Sequence, residues 1–186
     1  MHFDFARTKA RLSESSAAEG DPLELLAPLK QRLEIGEIDG AAFVAEGISI
    51  LGYRGSAEEF RSIWEDIFTP NAAMWETITT ARDRYRLVLL SNTSEIHKQS
   101  LFRDFEIFES FEDGVYSYSS RCAKPDPEFY RTAIETLGLR PAETLYVDDR
   151  PENVDAGRRA GFLSVYYDPQ QHERFLREAR AHGFAL

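Results

Sequence analysis

The sequence predicts an α/β fold, a Rossmann-like parallel-sheet core preceded by an all-helical domain. Three observations carry this prediction. From Arg86 onward, short apolar runs alternate with helical stretches in β-α-β-α-β-α-β order, which argues for parallel strands joined by crossover helices. Before Arg86, apolar residues recur at helical spacing with almost no strand signal. Polar motifs directly follow the apolar runs, and ligands of open parallel sheets bind at those carboxyl ends.

The first half reads as a series of helices. Asp21-Pro22 starts one that carries Leu23, Leu25, Leu26, Leu29 and Leu33. Asp39-Gly40 opens a second through Phe43, Val44, Ile48 and Leu51. Ser56 and Glu59 form a capping box ahead of Phe60, Ile63, Trp64 and Phe68. Pro70-Asn71 leads into a helix with Met74, Trp75 and Ile78. Trp64, Phe68 and Trp75 are spaced to line an entrance, but aromatics at helical spacing are more often core.

In the second half, Leu87 to Leu90 is a continuous apolar run suited to a strand buried on both faces. A helix from Ser94 to about Phe105 follows, then a strand over Gly114–Tyr118. Asp126-Pro127 starts a helix that Gly138 stops. Thr144–Val147 is the third strand, and Glu152–Ala160 is a helix ended by Gly161. Leu163–Tyr166 is the fourth strand, before a last amphipathic helix carrying Phe175, Leu176 and Ala179.

Composition narrows the function classes. The 186 residues are 42% apolar and 29% charged, enough for one substantial core or a core with a small accessory domain. A net charge of −10 repels duplex nucleic acid and anionic membrane, so neither is an expected partner. No apolar run approaches a membrane span, and Met1–Phe5 lacks the features of a signal peptide. A single cysteine, Cys122, forbids an intrachain disulfide. The expected location is the cytoplasm. Nothing in the sequence reports oligomeric state.

Three motifs follow the strands. Ser91-Asn92-Thr93 places a hydroxyl and an amide at a strand tip, a neutral anion-binding corner; alone it also reads as ordinary helix entry. Lys124-Pro125-Asp126-Pro127 places a lysine just before a helix, where it can neutralise a phosphoryl group or carboxylate; alone it also reads as a surface loop. Asp148-Asp149 ends an apolar strand with two carboxylates that repel each other, and a cation is the simplest compensation. Oxygen ligands of this kind suit Mg2+, and Asn153 is close enough to orient a carboxylate or a metal-bound water. A helix cap explains one acid of this pair but not the other.

The ordered set of strand-Ser-Asn-Thr, Lys-Pro-Asp-Pro and strand-Asp-Asp-x-x-x-Asn resembles motifs two, three and four of the haloacid dehalogenase-like (HAD) superfamily. The stretch Ser91–His97 is similar to bacterial members close to sugar-phosphate phosphatases. The resemblance implies a helical cap over residues 5–76, a core over 77–186, and a remnant of the link from a first core strand in 1–4. It implies that Ser91, helped by the Asn92 backbone, binds the phosphoryl oxygen, and that Lys124 holds phosphate and nucleophile together. Asp148 would bind Mg2+, and Asp149 would bind or position it with support from Asn153. His97, about one turn into its helix, is expected to be structural.

The family's attacking aspartate ends a first strand that has no counterpart here, since only Met1-His2-Phe3 precedes Asp4. Asp4 superficially matches the motif, but the resemblance places it just after. The expectation is that translation of the gene starts upstream. Without that strand two edges lose their ladder partners, so poor folding and weak or absent Mg2+ binding are expected.

Three functions follow from the resemblance. One is a Mg2+-dependent phosphatase acting through a phosphoaspartyl intermediate on a small phosphorylated metabolite such as a sugar phosphate. Another is a catalytically silent member or fragment. The third, a metal-free haloacid dehalogenase, is disfavoured by Asp148-Asp149, because such enzymes carry small polar residues there.

Overall fold

The computed structural model describes residues 1–186. In chain order the elements are β1 (His2–Phe3), α1 (Ala6–Ser15), α2 (Pro22–Glu34), α3 (Gly40–Leu51), α4 (Ala57–Glu65), β2 (Phe68–Thr69) and α5 (Ala72–Ala81). There follow β3 (Val88–Ser91), α6 (Glu95–Asp104), β4 (Asp113–Tyr116), α7 (Ser117–Ser120), α8 (Pro127–Leu137), β5 (Leu145–Asp148), α9 (Pro151–Arg159), β6 (Leu163–Tyr166) and α10 (His172–Ala181). They form two compact units, Met1–Pro70 with Thr93–Phe105, and Asn71–Asn92 with Glu106–Leu186.

The first unit is helical because its caps and apolar stripes agree. Asp21 and Asp39 accept N–H bonds at the starts of α2 and α3, and Ser56 and Glu59 form the reciprocal capping box of α4. Gly52 ends α3 with φ +53°, a left-handed geometry that favours glycine. The stripes meet in one core around Leu12, Leu26, Leu29, Phe43, Phe60, Trp64 and Ile96. Trp64 is therefore a core residue and not part of an entrance. His97 is buried too; its Nε2–H donates to the Trp64 carbonyl at 2.9 Å and its ring stacks on that indole. Burial lowers its pKa, so the neutral ring is favoured. The periodicity carries no sign of the antiparallel pair β1–β2, with His2 opposite Thr69 and Phe3 opposite Phe68. Two-residue strands are too short to show an alternation. Asp4 belongs to this unit, its carboxylate accepting the Ala6 N–H.

The second unit carries the parallel strands. β3 pairs with β4, Val88 opposite Asp113 through Ser91 opposite Tyr116. β5 pairs with β6, Leu145 opposite Leu163 through Asp148 opposite Tyr166. The two pairs are not hydrogen-bonded to each other, so β3 and β5 each keep one edge outside any ladder. Leu90 of β3 nevertheless packs both on the Val115–Phe129 cluster and on the Tyr130–Tyr146–Phe162 cluster, which ties the pairs together. α8 lies against β4, α9 against β5 and β6, and α10 against β6. The strand expected to run through Tyr118 stops at Tyr116. Ser119 and Ser120 donate to the Tyr116 carbonyl, turning the chain into α7, and Arg121 follows at φ +56°.

Gly157 of α9 lies over the Tyr146 ring. A Cβ there would come within 2.5 Å of Tyr146 Cδ1 and 2.8 Å of Ser164 Oγ. Gly157→Ala is expected to destabilise the chain by about 1–2 kcal/mol. Overpacking costs ~1–3 kcal/mol, offset by up to ~1 kcal/mol of helix propensity. Urea unfolding measures the difference, and a gain in stability would show that Tyr146 has room to move.

Candidate active site

The second unit brings Ser91, Asn92, Lys124, Asp148 and Asn153 to the carboxyl ends of β3 and β5. Alternation along β5 explains Asp148. It lies two residues after Tyr146, so both side chains share one face of the strand, and both are buried.

Lys124 spans the two strands. Its Nζ donates to the Leu90 carbonyl at 2.7 Å and to Asp148 Oδ2 at 2.6 Å. The two side chains are only 8% and 5% exposed, so this is a buried ion pair. The lysine is placed by a two-bond bracket. Asn92 Nδ2 donates to the Lys124 carbonyl and the Lys124 N–H donates to Asn92 Oδ1, each at 2.8 Å. The side chain of Asn92 thus positions Lys124, a role that reasoning from its backbone alone does not anticipate.

Asp148 accepts four bonds. Oδ2 takes Lys124 and the Tyr146 hydroxyl, the latter at 2.6 Å. Oδ1 takes Asn153 Nδ2 at 2.9 Å and the Arg150 N–H at 3.0 Å. Burial pushes its pKa up, but Lys124, Tyr146 and Asn153 outweigh that, so the carboxyl is held below its usual range. Burial and the neighbouring Asp148 charge push the Tyr146 phenol up, so it remains a donor.

Tyr130 stands behind this layer. Its hydroxyl donates to the Asn153 carbonyl at 2.8 Å and lies 3.4 Å from the Tyr146 hydroxyl. Sequence reasoning missed both tyrosines; the i, i+2 spacing of Tyr146 and Asp148 on one strand is the signal that finds the first. The structure does not bring Asp149 into the network; its exposed carboxylate makes no hydrogen bond. The Ser91 hydroxyl is half-buried and likewise unbonded. Asn153 Oδ1 is buried without a partner.

A family model described as haloacid dehalogenase-like hydrolase matches residues 18–161. The chain is similar to a phosphorylated carbohydrates phosphatase of Thermotoga maritima, 24% identical over 59% of this chain and 51% of that protein. It is also similar to a D-ribitol-5-phosphate phosphatase of Bacteroides thetaiotaomicron, 28% identical over 71% of this chain and 68% of that protein. The aligned stretch thus spans about half the length of the first relative. Among solved structures, a HAD family enzyme from Bacteroides thetaiotaomicron in complex with magnesium and inorganic phosphate superposes with a TM-score of 0.80 at 23% identity, covering 91% of this chain and 89% of that one. An L-2-haloacid dehalogenase from Xanthobacter autotrophicus superposes at 0.61 and 20% identity, covering 100% and 81%. These two likenesses establish the α/β HAD fold. The family match extends over well more than half of the sequence, and the chain belongs to the haloacid dehalogenase-like hydrolases.

Proposed function

We propose that this chain is the cap and core of a Mg2+-dependent phosphatase acting on a small phosphorylated metabolite of the sugar-phosphate class. The observation that carries the reading is the buried Lys124–Asp148 pair, whose lysine also holds the Leu90 carbonyl one residue before the unbonded Ser91 hydroxyl. A phosphoryl group placed there meets an ammonium and a hydroxyl donor, which stabilise charge developing on its oxygens. The names of the two phosphatase relatives agree with this substrate class.

The donor set fits Mg2+. Asp148, Asp149 and the unpartnered Asn153 Oδ1 are hard oxygens. That suits an ion that keeps several waters and takes one or two carboxylates. When bound, the ion supplies charge neutralisation at the phosphoryl oxygens. The chain's own residues do the rest: Ser91 and Lys124 orient the phosphate, Asn92 holds Lys124 in place, and Asn153 with Tyr146 fixes the Asp148 rotamer. The nucleophilic aspartate of a phosphoaspartyl mechanism is not among these residues, and residues 5–76 serve as the specificity cap.

The test is hydrolysis of p-nitrophenyl phosphate and of sugar phosphates, with and without Mg2+. It compares this chain with a form carrying an apolar strand ending in aspartate ahead of Met1. Turnover is expected only from the second form with Mg2+. Turnover by the chain alone, lost in Asp4→Asn, would place the nucleophile at Asp4. Metal-independent halide release from 2-chloropropionate would replace the phosphatase reading with a dehalogenase.

A further inference from the structure

The Asp148 carboxylate has about four acceptor positions, and all four are filled. One of its donors is itself a cation. Lys124 is buried with Asp148, so its charge acts through a poorly screened environment. A divalent ion approaching Oδ2 therefore competes with an ammonium that already balances the carboxylate. Lys124 has three protons, and two are used, on Leu90 and Asp148. The third can be donated to an anion, and the unbonded Ser91 hydroxyl ends the same strand as Leu90. Beside Asp148, Asn153 keeps a buried oxygen without a donor, which a metal-bound water would satisfy.

We propose that Lys124 couples anion and cation binding at this site: with no ligand it is the counter-ion of Asp148, and an oxyanion at Ser91 draws it away so that Mg2+ can take its place. The inference rests on the Mg2+ and phosphate reading above and adds a rule to it, that each ligand tightens the other. Linkage makes the effect reciprocal, and coupling of this kind is usually 5–150-fold. Lys124 is thus an internal competitor of the metal as well as a ligand of the phosphate. Removing it should strengthen Mg2+ binding, the opposite of what a purely supportive lysine predicts.

Calorimetry on the 186-residue chain tests this, with MgCl2 and inorganic phosphate as probes, at fixed ionic strength and corrected for free Mg2+. Saturating phosphate is expected to tighten Mg2+ binding to the wild type about tenfold or more. Lys124→Met is expected to bind Mg2+ about tenfold tighter than wild type without phosphate, and to lose the phosphate response. Arg150→Met removes an exposed positive charge nearby and is expected to change Mg2+ affinity by less than about threefold, the size of a screened surface effect. Asp148→Asn supplies the reciprocal arm, and serves if Lys124→Met does not fold. It frees Lys124 and should bind phosphate about tenfold tighter than wild type without Mg2+, against a charge-matched Asp155→Asn control.

A phosphate response that survives in Lys124→Met would assign the coupling to direct metal–phosphate contact and overturn the proposal. Equal shifts in Lys124→Met and Arg150→Met would also overturn it, leaving net charge as the cause. Mg2+ binding by the wild type with no response to phosphate removes this inference alone. Absence of Mg2+ binding in every form removes the Mg2+ reading and this inference with it.

Discussion

Lys124→Met is expected to cost about 3–5 kcal/mol of folding stability at pH 7 in the absence of metal, the penalty for leaving a buried carboxylate without its partner. The pair is almost fully enclosed, and Lys124 is the one side-chain cation paired with Asp148. The loss should depend on pH in a definite direction. Asp148 is held below the usual carboxylate range in the folded state. Its contribution is therefore present above the unfolded value, near ~3.9, and is lost as pH falls through the depressed folded value. The gap between wild type and Lys124→Met should be widest near neutrality and narrow below about pH 4, where the variant's carboxyl is already protonated. Urea unfolding at pH 7 and at pH 3.5 measures both. A gap that stays constant over that range would mean that lost packing of the lysine stem, not charge, sets the cost.

A strand supplied between β3 and β5 is expected to raise stability by several kcal/mol and to protect the edge amides of both strands. The physical reason is the unpaired edges. β3 is half-buried throughout, and its ladder with β4 uses only one side. β5 likewise pairs only with β6. Each buried backbone group left without a partner costs ~1–3 kcal/mol, and an added parallel strand satisfies several together. Lys124 already covers one such group, the Leu90 carbonyl. Hydrogen exchange gives the readout. Edge amides of Val88–Ser91 and Leu145–Asp148 should exchange quickly in this chain and slowly in a form with an apolar strand ending in aspartate fused ahead of Met1. Equal exchange in the two forms would show that the edges are already sealed.

Much of the fold is legible in the amino-acid sequence. The helix starts at Asp21-Pro22, Ser56 and Asp126-Pro127 are local events, in which a side chain two or three residues away satisfies a free N–H. The strands ending at Ser91, Asp148 and Tyr166 were visible as short apolar runs set between helical stretches. The β1–β2 pair was not, because the energy of a ladder resides in residues far apart in sequence. The true end of β4 was hidden too, since a serine run can extend a strand or bond back onto it.

The site divides in the same way. By itself, the sequence singled out the candidate residues: Ser91, Asn92, Lys124, Asp148, Asp149 and Asn153 stand out because polar groups directly after buried strands must be satisfied or used. Only the tertiary structure decided how they are connected. It turned the Asn92 side chain onto the Lys124 backbone, filled every acceptor of Asp148, added Tyr146 and Tyr130 behind it, and left Asp149 outside. The physical reason is that a residue's capacity to donate, accept or carry charge belongs to its side chain and can be read singly. Which partner uses that capacity depends on distances of about 3 Å between segments far apart in the chain, and packing alone sets those distances.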